Sequence, residues 1–182
     1  MTTAVQPFSG TFQTDPVHSS IGFGVKYAGA GTFRGTFSDV TATLSADDGG
    51  LALAGAAQVE SISVQNPPQF RAHLLGPEFF DAEANPEVTF RSARVELADD
   101  GSARVEGKLT IAGRTQDVTA SGTWTEPVSA AGDLKRANLL VETTVDRRDF
   151  GIEWQMALPN GGDALAYDVT LEVNLALVQP EA

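Results

Sequence analysis

A chain of 182 residues is about one domain's worth, and folding at that size hides roughly 70% of the unfolded surface. Apolar residues at 42% and charged residues at 20% are globular proportions, which excludes disordered, collagen-like and low-complexity chains. With 24 acids against 12 Lys and Arg the net charge is -12, which opposes binding to nucleic acid and to anionic bilayers; zero cysteines exclude disulfides, thiolate metal sites and Cys nucleophiles.

The opening, Met1 to Pro7, has no basic or apolar segment of a leader peptide, and no apolar run approaches the ~20 residues that span a bilayer. The expectation is one soluble, cytoplasmic domain over residues 1–182 with no stable membrane insertion. Period-two alternation dominates from there on. Over residues 19–27, Ile21, Phe23, Val25 and Tyr27 share one face. A turn at 28–31 leads into a strand over 32–46, and Asp47-Asp48-Gly49-Gly50 turns the chain into another over 51–64.

Residues 66–86 break the rhythm: Pro67-Pro68 opens a helix, Phe70 and Leu74 lie four apart on it, and Gly76-Pro77 stops it, which predicts one short helix near 67–75. Strands follow over 87–98, 103–112 and 115–125, then over 135–146 and 166–178, the last alternating from Tyr167 to Leu177. Eight strands of this length exceed the usual ~5–6 residues, and at ~3.3 Å per residue they are longer than a small sandwich needs. The predicted fold is all-β, an extended eight-stranded antiparallel barrel, lipocalin-like in shape, with a two-sheet sandwich as the alternative. Gly35, Gly55, Gly107 and Gly122 inside strands suit the bends of closure.

Groups that carry chemistry are sparse. His18 and His73 are far apart, and neither belongs to a metal-ligand spacing, so no metal site is predicted. Asp15, His18 and Ser19 have the residue types of a hydrolytic triad, but neighbours on a strand point to opposite faces, so His18 and Ser19 do not engage each other. The acids Glu78, Asp81, Glu83 and Glu87 read as a solvated loop or a weak cation site. Arg147-Arg148, flanked by Asp146 and Asp149, reads either as a self-neutralised turn or as an anion contact at a barrel mouth. Ten Phe and two Trp spread over most elements remain. A tall barrel with an apolar interior and few convergent polar groups describes a lipid cavity better than an active site.

The run from Asp15 through His18-Ser19 and Phe23 to Tyr27 resembles the opening signature of the YceI-like, polyisoprenoid-binding family. Ser61 to Asn66, Phe70 to Leu74, Phe79 to Ala82 and Asn85 to Ser92 are similar to its middle signature, and Gly107 to Gly113, Asp146 to Ile152 and Asp168 to Leu171 to its later ones. The resemblance implies an extended barrel around one long isoprenoid or other aliphatic lipid, often in a homodimer, with no catalytic residues and no cofactor besides that lipid. The expected wall residues are Ile21, Phe23, Val25, Tyr27, Phe37, Phe90, Leu109, Ile111, Trp124, Val141, Phe150, Trp154 and Val173, with His18, Arg147 and Arg148 as head-group candidates. Two rival functions are an enzyme using His18, Tyr27 and His73, and a stress-related interaction protein with a filled interior.

Overall fold

Alternating side chains produce ten strand segments in the computed structural model, which describes residues 6–180. They are β1 (Gly10–Thr14), β2 (Ser20–Tyr27), β3 (Gly31–Phe37), β4 (Val40–Asp47), β5 (Gly50–Gln58), β6 (Glu87–Leu97), β7 (Ser102–Ile111), β8 (Arg114–Ala130), β9 (Leu134–Asp146) and β10 (Leu165–Pro180). The helix α1 (Pro68–Leu75) stands between β5 and β6, where Pro68 supplies a first-turn residue and Gly76 caps the end. Among the described residues no helix is long and apolar enough to cross a membrane.

Every strand pairing is antiparallel, in the order β1-β4-β5-β6-β7-β8-β9-β10, and β1 pairs back onto β10 to close the ring. β2 pairs with the first part of β10, up to Asn174, while β1 meets its later part at Leu177 and Val178. β1 and β2 are therefore two halves of one interrupted strand, as are β3 and β4 beside them. Ten segments fill eight positions, and the result is the closed eight-stranded barrel expected from strand length, not a sandwich.

The interruptions have local causes. Asp15 accepts the N–H of Val17 at 3.0 Å and so opens a turn between β1 and β2. The predicted strand over 32–46 breaks where the N–H groups of Ser38 and Asp39 both leave the ladder for Oγ of Ser61, at 3.1 and 3.0 Å. The strand predicted over 51–64 ends at Gln58 in a 3-10 turn, Val59–Ser61. β8 continues to Ala130, beyond the predicted 125, because a register shift between Thr125 and Val128 accommodates Pro127, which has no N–H to donate.

β3 has only β2 as a strand partner, so the wall is split beside it. The segment from Val59 to Pro86 fills the split: Ser63 donates its N–H to the carbonyl of Thr36 at 2.8 Å, and the Phe33 ring meets Phe70 of α1 edge-on at 5.5 Å. Arg71 holds α1 to this segment by donating to the carbonyls of Ile62, Val64 and Glu60 at 3.2, 3.1 and 2.8 Å.

Alternation sorts the faces as expected. On β4, Val40, Ala42, Leu44 and Ala46 are buried between exposed or half-buried neighbours, and on β7 Ala103, Val105, Leu109 and Ile111 are buried. Two of the interior glycines make room for side chains or backbone. A Cβ on Gly35 would lie 2.5 Å from the Phe23 ring, and one on Gly122 would lie 2.0 Å from the carbonyl oxygen of Leu140. At one end of the barrel Phe12, Leu44, Val95, Ala103, Trp124, Leu139 and Leu177 pack into a solid apolar layer. Toward the other end the interior opens.

Candidate functional site

The open part of the interior is a cavity of about 660 Å³. Ile21, Phe23 and Val25 of β2 line it, as do Phe37 of β3, Phe90 of β6, Leu109 and Ile111 of β7, Val141 of β9 and Val173 of β10. Tyr27, Phe150 and Trp154 complete the set of predicted wall residues that reach it. Trp124 does not. It is 6% exposed and inward-facing, but it lies in the solid layer, where its Nε1–H donates to the carbonyl of Ala98 at 2.8 Å. Alternation reports the face of a residue and not its depth along the barrel, which is why Trp124 looked like wall.

The sequence reading missed several lining residues. Phe33 and Phe80 pack with Phe23 and Phe37 in a group of rings, Phe80 meeting Phe37 at 5.5 Å and Phe23 at 6.4 Å, and Phe79 lines the cavity beside Trp154 at 5.6 Å. Val169 and Leu171 also line the cavity, and their alternation with Val173 in β10 was the signal available for them.

Besides Arg34, the Tyr27 phenol and four threonines, the polar side chains that reach the cavity are His73 and Arg147, and both of these are engaged by other groups of the protein. Arg147 is 4% exposed and donates from Nε to the carbonyl of Ala166 (2.8 Å), from Nη1 to that of Ile152 (2.8 Å) and from Nη2 to that of Leu165 (3.2 Å). Its guanidinium carbon also lies 4.7 Å from the centre of the Tyr167 ring, and burial pushes its pKa below the ordinary arginine value. Gln155 braces the same strand end, donating to the carbonyl of Leu165 at 2.7 Å and accepting its N–H at 3.0 Å. His73 lines the cavity from α1, donates from Nε2 to Glu78 at 2.8 Å and sits edge-on to Phe79 and Trp154.

The other two head-group candidates lie outside the cavity lining. Arg148 points to the surface, where Asp146 accepts from its Nε at 3.0 Å and from its backbone N–H at 2.9 Å. The self-neutralised turn thus describes Arg148, whereas the hydrogen bonds of the Arg147 guanidinium go to backbone carbonyls, with Asp146 and Asp163 acting on it only through their charge. His18 donates from Nδ1 to Asp15 at 2.8 Å on the outside of the closed end. Ser19 is turned away from it, exchanging two hydrogen bonds with the backbone of Ala176 at 3.1 and 3.0 Å, so no triad forms. Among the described residues no three His, Asp or Glu side chains converge as a metal-holding group, the cluster around Glu78 included.

The family profile of the YceI-like domain matches residues 12–177. The chain belongs to this family. A UPF0312 protein of Staphylococcus epidermidis is 30% identical over 170 residues, covering 90% of this chain and 94% of that protein. The crystal structure of Burkholderia cenocepacia BcnA superposes with a TM-score of 0.68 at 21% identity, covering 91% of this chain and 99% of that one. A polyisoprenoid-binding domain from Saccharophagus degradans superposes at 0.65 with 11% identity, covering 95% and 100%. These likenesses confirm the barrel.

In this YceI-like chain the opening motif does structural work. Asp15 ties the β1–β2 turn to β9 by accepting from Nη1 of Arg136 at 2.8 Å as well as from His18. The Arg136 hydrogen bond, then the His18 one, holds its carboxyl well below the ordinary carboxylate range. The Arg148 guanidinium lowers Asp146 from 3.8 to about 2. Carboxyls lowered in the folded protein contribute stability above their unfolded pKa and lose it as pH falls through the folded value. We therefore expect the denaturant midpoint to hold near neutral pH, to fall below about pH 4 and to keep falling through about pH 2. Asp15→Asn and Asp146→Asn should each start lower at neutral pH and decline less steeply on acidification. Acid profiles parallel to wild type would assign the acid loss to other groups.

Proposed function

We propose that this protein binds one long-chain apolar lipid, polyisoprenoid or quinone-like, and stores or carries it without converting it chemically. The observation that carries this reading is the predominantly apolar lining of a 660 Å³ cavity, running from β2 around the barrel to β10. Its size falls in the ~300–1,000 Å³ range of small-molecule sites. Burying a hydrocarbon there recovers ~0.8 kcal/mol per CH₂ group, so affinity does not require many polar contacts. The filled-barrel alternative fits less well, because the side chains around Leu109, Ile111, Phe150 and Ile152 still leave a cavity of about 660 Å³ between them and the layer at the other end. An enzyme acting inside the barrel needs polar groups that converge on one reacting atom. Here Arg147 is bonded to carbonyls, His73 to Glu78, and His18 lies outside. The description of the Saccharophagus domain as polyisoprenoid-binding agrees with this reading.

The test is solvent extraction of the purified protein followed by mass spectrometry, with displacement of a fluorescent apolar probe from delipidated protein as the second measurement. A stoichiometric long-chain lipid in the extract, or displacement of the probe by a polyprenol, is the expected result. A lipid-free extract together with no probe binding would overturn the proposal.

A further inference from the structure

The cavity has a floor inside the barrel. Along β10 its lining runs from Leu165 to Leu175, and the next inward residue, Leu177, is 1% exposed and belongs to the solid layer. The neighbouring strands make a similar change: on β9 Val141 lines the cavity and Leu139 does not, and on β8 Ala120 lines it and Trp124 does not. Strand register places Leu139 beside Trp124 on β8, whereas its partner on β10, Leu175, still lines the cavity, so on β10 the floor lies one inward residue further along, at Leu177.

We propose that Leu139, Trp124 and Leu177 form a stop that sets the longest tail the barrel can enclose. This rests on the lipid-binding reading and adds to it a limit on tail length. The lined stretch of β10 covers ten residue steps, about 33 Å along the strand, and a barrel tilt of 35–45° reduces this to about 25 Å along the axis. A tail longer than that folds back or leaves its end at the mouth. The stop is held in place from two sides. The Trp124 indole is bonded to the carbonyl of Ala98, and at Gly122, two residues away, β8 and β9 approach so closely that a Cβ would collide with backbone. Trp124 therefore has no free rotation away from the floor.

The experiment uses a homologous series of prenyl alcohols, from geraniol through farnesol and geranylgeraniol to solanesol, displacing a fluorescent apolar probe from delipidated protein. In wild type, affinity rises with each step until the tail spans the cavity and then levels off, with solanesol no tighter than the alcohol at the plateau. Leu139→Ala lowers the floor, and the first alcohol beyond the plateau gains about tenfold while farnesol is unchanged. Ala120→Leu raises the floor without opening the core, and the alcohol at the plateau loses about tenfold while geraniol is unchanged. Circular dichroism checks the folding of both, and Ala120→Leu suffices if Leu139→Ala fails to fold. A wild-type affinity that climbs through solanesol, or a plateau that stays put in the folded variants, overturns the floor while leaving lipid binding intact. No displacement by any alcohol overturns the lipid reading and the floor with it.

Discussion

Phe23→Asp should abolish retention of the apolar ligand, with a loss of about 100-fold or more in affinity for any long-chain probe. Phe23 projects from β2 into the cavity between the rings of Phe33, Phe37 and Phe80, at 5.9, 5.8 and 6.4 Å. The bare Gly35 on the adjacent strand leaves it room. A carboxylate in that position either stays charged and draws water among the rings, or takes up a proton at a cost of several kcal/mol, and both outcomes oppose a hydrocarbon ligand. Leu109→Asp repeats the experiment on the opposite wall, where Leu109 packs with Ile111, Phe150 and Ile152. Lys26→Gln, at an exposed position on β2, is the control and should change retention little. Circular dichroism separates loss of ligand from loss of fold. A folded Phe23→Asp protein that extracts with as much lipid as wild type would remove the cavity from the argument.

The second large effect is expected at Arg147 and concerns stability instead of ligand choice. Arg147→Gln strands the carbonyls of Ala166, Ile152 and Leu165, which lose the donors of a guanidinium that is itself only 4% exposed. Hydrogen bonds to a charged group are worth about 1.5–3 kcal/mol each, and overlap among the three brings the expected loss to about 3–5 kcal/mol. For a chain of this length that corresponds to a melting temperature lower by roughly 10 °C. Arg147→Lys should recover only part of it, since an ammonium lacks the planar fork that reaches all three oxygens. Arg148→Gln should leave melting almost unchanged, because its guanidinium pairs with Asp146 at the surface. A selective loss of anionic lipids in a fully stable Arg147→Gln protein would restore that residue as a head-group contact.

Fold class was legible because a half-buried strand writes its faces into every second residue. Ile21, Phe23 and Val25, or Leu109 and Ile111, announce both strand and inward face. The short helix was legible from Pro68 and Gly76. β1 was not, because in Gly10–Thr14 only Phe12 is buried and one buried residue has no period. The break at Ser38-Asp39 depends on Ser61, more than twenty residues later, and no local pattern reports such a partner. Depth was equally hidden: Trp124 and Val141 carry the same inward signal on adjacent strands, yet one is floor and the other wall. The character of Arg147 was illegible for a related reason. Its nearest carboxylates in sequence are Asp146 and Asp149, whereas two of its actual acceptors are backbone oxygens 18 and 19 residues away.

The seam of the barrel has a consequence for how the chain reaches this state. β10 is the one strand that joins β9, β2 and β1, and its pairing with β1 brings Gln13 and Thr14 against Val178 and Leu177. Until that last strand is made, β1 and β2 have no neighbour on one side, and the apolar faces of nine segments have no closed interior to enter. Pairings that span almost the whole chain carry a large loop-closure entropy and place the molecule among slow-folding, high-contact-order topologies. During synthesis the open sheet edge and the future cavity wall are exposed together, the combination that recruits chaperones or leads to aggregation. An apolar ligand present at that stage would have a nucleating role, filling the cavity that the protein's own side chains leave open.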